Sequence, residues 1–161
     1  MSRVLHWNGH AYIALLVRLY LGGLFLSACV HKIAHPEAFA VDVATYQLLP
    51  LAAVNLFALV LPWTELLAGA CLVTGVRVRA ASLLIAAMMI AFIAALAWAL
   101  HLHLDMSCGC FASQGAVNDP ISWRTVVRDL SWLLLSVYVL VFDHNPIGLE
   151  RLIGKRRKAH A

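Results

Sequence analysis

Apolar residues in this chain gather into four nearly unbroken runs, at 11–33, 51–76, 80–102 and 123–142, with short polar connections between them. About 20 consecutive apolar residues cross the hydrocarbon core of a bilayer as a helix, so each run predicts one transmembrane span. The expected fold is all-α, an integral membrane four-helix bundle forming a single domain over residues 1–161, with a basic tail at 143–161. Between the first two runs, His35-Pro36 precedes Phe39, Val43 and Tyr46 at helical spacing. Proline suits the first turn of a helix, and this segment predicts a short interfacial helix between spans 1 and 2. Pro50 opens the second span, and Pro62 inside it removes a backbone donor and predicts a kink. Gly22 and Gly23 in the first span, and Ala87, Ala91, Ala95 and Ala99 in the third, predict faces on which helices approach closely.

Composition agrees with a hydrocarbon environment: 63% of residues are hydrophobic and only 12% charged, against about 25% charged in soluble domains. With four spans both termini share a side, and that side carries Arg3, Arg77, Arg79 and the tail residues Arg151, Lys155, Arg156, Arg157 and Lys158. The opposite side has Lys32 and Arg124, with Arg128 just inside the fourth span. Cytoplasmic connections hold the excess of Lys and Arg, so both termini are expected in the cytoplasm of a bacterial inner membrane. The 31–50 and 103–122 connections then face the periplasm. The net charge of +4 sits in a tail beside anionic lipid, which argues for membrane contact and against nucleic acid.

Ionisable groups inside spans are costly and therefore informative. Arg18 and Glu65 lie at similar depth when counted from the cytoplasmic ends, and an intramembrane ion pair between them is expected, either fixing how two helices dock or flooring a quinone or proton site. Near the outer surface the spans carry Cys29, His31 and Lys32, then His101, His103 and Asp105, then Arg128 and Asp129, which together predict a polar vestibule. Leu26-Ser27-Ala28-Cys29 matches a lipoprotein processing site. Cleavage there would leave three spans and put the basic turn and the basic tail on opposite sides, which disfavours it. Cys71, near the inner end, reads as an inert apolar residue.

The candidate chemistry lies in the last outer connection, at Cys108-Gly109-Cys110. The periplasm is a compartment where disulfides persist. A disulfide between residues two apart closes a small ring with awkward dihedrals, and such strain makes the bond exchangeable. Gly109 lets the backbone accommodate it, while Lys32 and Arg128 in the same depth band would favour the reactive thiolate. Cys29 is a candidate third member of a thiol relay. A second reading is a copper or zinc site built from His101, His103, Cys108 and Cys110, and a third is a noncatalytic assembly scaffold.

Arg18-Leu19-Tyr20-Leu21-Gly22, Lys32 with Pro36 and Phe39, Leu61-Pro62-Trp63-Thr64-Glu65, Cys108-Gly109-Cys110-Phe111 and Ile121 through Asp129 resemble the methylamine-utilisation membrane family MauE and the wider DoxX-like superfamily, over about residues 14–142. Ala112 stands where members commonly carry glycine. The resemblance implies a redox-associated four-helix inner-membrane protein that serves maturation or export of the disulfide-rich small subunit of methylamine dehydrogenase. It assigns Cys108 and Cys110 to the redox pair and matches Arg18, Lys32 and Glu65 to the family's membrane-embedded polar positions. The expected activity is thiol/disulfide exchange with an exported partner, the pair being recycled by a periplasmic thioredoxin-like protein or by a quinone in the bundle.

Overall fold

The computed structural model describes residues 9–102 and 122–143, together with Gly148. Among these residues five helices follow one another: α1 (Gly9–Ala34), α2 (Pro36–Thr45), α3 (Leu51–Thr74), α4 (Val78–His101) and α5 (Trp123–Phe142). All except α2 are long and apolar enough to cross a membrane, so the chain is a multi-pass helical membrane protein whose spans match the hydrophobic runs to within about two residues. Large apolar side chains such as Leu16, Leu56, Leu67, Leu83 and Leu134 are more than half exposed on the outer faces of the bundle. That pattern suits a solvent of acyl chains, because a helix satisfies its own backbone and need only present apolar side chains to lipid.

The antiparallel α1–α3 pair is the most extensive contact, and α4 packs mainly on α5. The α1–α3 crossing is close because two glycines meet there. A Cβ at Gly22 would come within 2.7 Å of the Val73 side chain and 3.0 Å of the Gly69 carbonyl oxygen, whereas one at Gly23 would meet nothing within 4 Å. The glycine pair of the first span therefore divides: Gly22 makes the interface and Gly23 does not. Gly22→Leu is expected to destabilise the bundle by about 2 kcal/mol through overpacking, with Gly23→Leu near neutral, as read by thermal unfolding in detergent micelles.

α3 ends at Gly75, whose φ of +74° lets its amide and that of Val76 return to the Cys71 carbonyl. The chain reverses through Arg77 and enters α4 at once. Pro62 is buried within a continuous α3.

Two apolar clusters fill the interior. The larger, at the end of the bundle where α1 starts and α5 stops, includes Leu21, Leu72, Ile85 and Val139 and reaches Phe25, Met89 and Trp132. The smaller, at the opposite end, joins Tyr46, Leu96 and Ala99 with Phe92, Ala95 and Val126. Hereafter these are the terminal end and the loop end. Hydrogen bonds from Trp132 Nε1 to Tyr20 Oη (3.2 Å), and between His10 Nδ1 and Tyr138 Oη (2.8 Å), tie α5 to α1.

Candidate functional site

A cavity of about 430 Å³ lies in the loop-end half of the bundle, bounded by α1, α2, α3, α4 and α5. Phe25, Met89 and Trp132 of the larger cluster and Tyr46, Phe92 and Ala95 of the smaller both face it, so it separates the two. The short helix α2 covers one side. Pro36 occupies its first turn, Phe39 is buried, and Phe39, Asp42 and Val43 together with the following Tyr46 line the cavity. The expected interfacial helix is present, and its apolar face turns into the bundle. Ala87, Ala91 and Ala95 also line the cavity, with Ala87 and Ala91 exposed and only Ala99 of that row buried. The small residues of the third span thus make room for a void more than for a neighbouring helix.

The polar wall is built by two side chains reaching toward each other. Cβ bonds on a helix tilt toward its own N-terminus. On antiparallel helices, Lys32 near the end of α1 therefore leans back into the bundle, and Glu65 on α3 leans toward the loop end. Lys32 Nζ donates to both Glu65 oxygens, at 2.8 and 3.0 Å. It also sits 5.0 Å from the Phe39 ring centroid, a cation–π distance. Both residues are buried and both line the cavity.

The same rule overturns the expected pairing of Arg18 with Glu65. Arg18 is directed toward the terminal end, away from Glu65, and its Nη1 donates to Asp143 Oδ2 at 3.2 Å. Its guanidinium lies against Gly75, where a Cβ would approach Nη2 to 3.3 Å. Gly22 meets Gly69 at the crossing, and Arg18 and Glu65 each lie four residues from it toward opposite ends of the bundle, so the register separates their Cα atoms and the opposed tilt of the side chains adds to the distance. Asp143, the first residue of the expected tail, is buried beneath the last turn of α5. An arginine in the first span with an acid just past the last one, on the same side, was the signal available.

Asp129 is the second polar feature of the cavity. Its side chain is fully buried on α5. Arg128 Nε donates to Oδ1 at 3.1 Å, while Oδ2 has no hydrogen-bond partner among the described residues. Arg128 itself lies over the Trp132 ring at 4.8 Å. Of the four outer-face groups expected together, Lys32 and Asp129 line the cavity, whereas Cys29 and Arg128 are not among its lining residues. Cys29 is fully buried within α1, its thiol donating to the Leu26 carbonyl at 3.2 Å. On α2, outside the spans, burial pushes the Asp42 carboxyl up, against the pull of His31 and Lys32. The ionisable lining is thus one ammonium against the carboxyls of Glu65, Asp42 and Asp129.

Cys108, Cys110 and His103 lie outside the described residues. His101 is exposed at the end of α4, and among the described residues no three His, Cys, Asp or Glu side chains group as metal ligands would. The connection that carries the two thiols leaves α4 and enters α5 at the loop end.

Comparison with known proteins matches residues 10–142 to the family described as methylamine utilisation protein MauE. The chain belongs to the MauE family. Among its relatives, the MauE of Paracoccus denitrificans is 33% identical over 124 residues, covering 76% of this chain and 66% of that protein. The MauE of Methylorubrum extorquens (strain ATCC 14718 / DSM 1338 / JCM 2805 / NCIMB 9133 / AM1) is 33% identical over 130 residues, covering 73% of this chain and 68% of its own. No solved structure matches the chain. The MauE match runs through all five helices, and so includes Lys32, Glu65 and Asp129 as well as the Cys108-Gly109-Cys110 connection.

Proposed function

We propose that this MauE-family protein is an inner-membrane thiol/disulfide exchange protein acting at the periplasmic face, with Cys108 and Cys110 as its working pair, in the maturation of an exported, disulfide-containing partner of methylamine utilisation. The carrying observation is the position of Cys108-Gly109-Cys110 in the α4–α5 connection, at the end of the bundle where the buried polar groups and the cavity also lie. The orientation rests on the distribution of Lys and Arg, which favours cytoplasmic termini. The names of both relatives support the pathway.

In the exchange, a partner thiolate attacks one sulfur of the Cys108–Cys110 disulfide, forming a mixed disulfide and freeing the other sulfur as a thiolate. The partner's second thiolate then displaces the first sulfur, leaving the partner oxidised and the pair reduced by two electrons. A small strained ring favours this direction, since opening it releases strain. A thioredoxin-like partner or a membrane oxidant restores the disulfide.

The test is to express Cys108→Ser and Cys110→Ser separately, quench thiols with acid, and resolve mixed disulfides on non-reducing gels. One of the two variants is expected to accumulate a reducible adduct with an exported protein, formed when its remaining thiolate attacks the oxidised partner's disulfide in the reverse of this exchange with no second thiol to resolve it, and absent from the double variant. Intact partner maturation with no adduct in either variant would instead identify a noncatalytic scaffold. Copper or zinc that copurifies with the wild type and is lost in both variants would identify a metal site.

A further inference from the structure

We propose that the loop-end cavity is a binding site for the ring of a lipid-soluble quinone or hydroquinone, with Asp129 Oδ2 accepting a hydrogen bond from a hydroquinone hydroxyl. Four observations lead to this class of ligand. First, a volume of about 430 Å³ falls in the range of small-molecule sites, about 300–1,000 Å³. Second, Asp129 is among the residues that line the cavity, and its Oδ2, covered at that wall, lacks a hydrogen-bond partner among the described residues; a rotation of the side chain would present it to a ligand. A buried acceptor left unmade costs about 1–3 kcal/mol, more for a charged group, and a ligand hydroxyl removes that cost. Third, Lys32 supplies a donor on the same lining, so the walls offer both an ammonium for a ring carbonyl and a carboxylate for a ring hydroxyl.

Fourth, the remaining lining is aromatic and thioether-rich, including Phe25, Phe92, Trp132 and Met88, which suits a flat ring. Leu48, Leu49 and Phe57 both line the cavity and stay substantially exposed to the surroundings of the bundle. They mark a lateral opening through which an isoprenoid tail would lie in lipid. An acyl chain offers Asp129 no donor. A phospholipid headgroup would bring an anion to walls carrying three carboxyls against one ammonium.

Joined to the exchange reaction, on whose reading this second step rests, the ligand is the membrane oxidant. Two thiols and one quinone give one disulfide and one hydroquinone: an S–S bond forms, two S–H bonds break, and the two protons and two electrons end on the ring oxygens. The binding site itself does not require that the thiols react.

The probes are decylubiquinone and decylubiquinol, added to the full chain in nanodiscs, with binding followed by tryptophan fluorescence and the site mapped by a photoreactive azidoquinone. Saturable binding of both forms is expected, with crosslinks on cavity-lining residues. Ala91→Phe, which fills the cavity from an exposed wall position, is expected to weaken binding at least tenfold, while Leu134→Ala on the lipid face leaves it unchanged. Asp129→Asn removes the anionic acceptor and is expected to lower the preference for decylubiquinol over decylubiquinone about tenfold. The Cys108→Ser, Cys110→Ser double variant should bind as the wild type does, since the site does not include the thiols; a wild type that binds decylubiquinone yet keeps both thiols reduced would defeat the exchange reading and leave the site standing. Non-saturable uptake, equal in wild type and Ala91→Phe, means that the probe merely partitions into lipid and overturns the proposal. An unchanged preference in Asp129→Asn overturns the role of that carboxylate.

Discussion

Glu65→Ala is expected to destabilise the protein by about 3–5 kcal/mol, the range for removing one member of a buried ion pair. Both Glu65 oxygens accept from Lys32, and both side chains are more than nine-tenths buried. Without the carboxylate the buried ammonium loses both hydrogen bonds and keeps the Phe39 ring and the attraction of the Asp42 carboxyl. Lys32→Met should cost a similar amount, for the mirror reason. The double replacement Lys32→Met with Glu65→Leu is expected to recover most of the loss, because two apolar residues of similar volume leave no uncompensated charge. Reversible denaturant unfolding in micelles, run as a double-mutant cycle, measures the coupling, and strictly additive losses would show that the pair does not hold the two helices as described. The double variant also removes the cavity's donor, so it should fold while losing affinity for quinone probes.

Asp143→Ala is expected to be the second large loss, again about 3–5 kcal/mol, since it removes a carboxylate from an arginine that is 1% exposed. Here the functional consequence is opposite. Arg18 and Lys32 are fourteen residues apart on α1, which at ~1.5 Å per residue separates their backbones by about 21 Å. The Arg18–Asp143 pair touches the turn at Gly75 and not the cavity. Asp143→Ala should therefore lower the thermal midpoint without altering probe affinity in the surviving folded fraction. An equal effect on both readouts would mean that the two ends of the bundle are not energetically separate.

The spans were legible because hydrocarbon imposes a length and a composition that soluble folding does not, and the interfacial helix was legible from Pro36 with Phe39, Val43 and Tyr46. What the chain alone did not disclose was how polar side chains partner inside the membrane. Counting depth along each helix puts Arg18 beside Glu65, but the register set where Gly22 meets Gly69 carries them toward opposite ends of the bundle, and the lean of side chains toward their own N-termini widens that gap while it joins Lys32 to Glu65. The cavity was equally hidden. A row of alanines has the same spacing whether a helix packs on it or a void opens against it, and only the approach of α2 and α5 decides which. Asp129 stood out as a membrane-embedded acid, while the oxygen that has no partner among the described residues became apparent only with Arg128 in place.

The proposed exchange requires a sulfur pair that lies outside the membrane and passes readily between bonded and reduced states. The direct measurement is labelling of intact spheroplasts with an impermeant maleimide, before and after mild reduction, followed by peptide mass spectrometry of the α4–α5 connection. Two labels at Cys108 and Cys110 after reduction, and almost none before it, are expected. Label that appears only when the membrane is permeabilised would contradict the orientation, and full labelling without reduction in cells where the partner matures normally would contradict the disulfide.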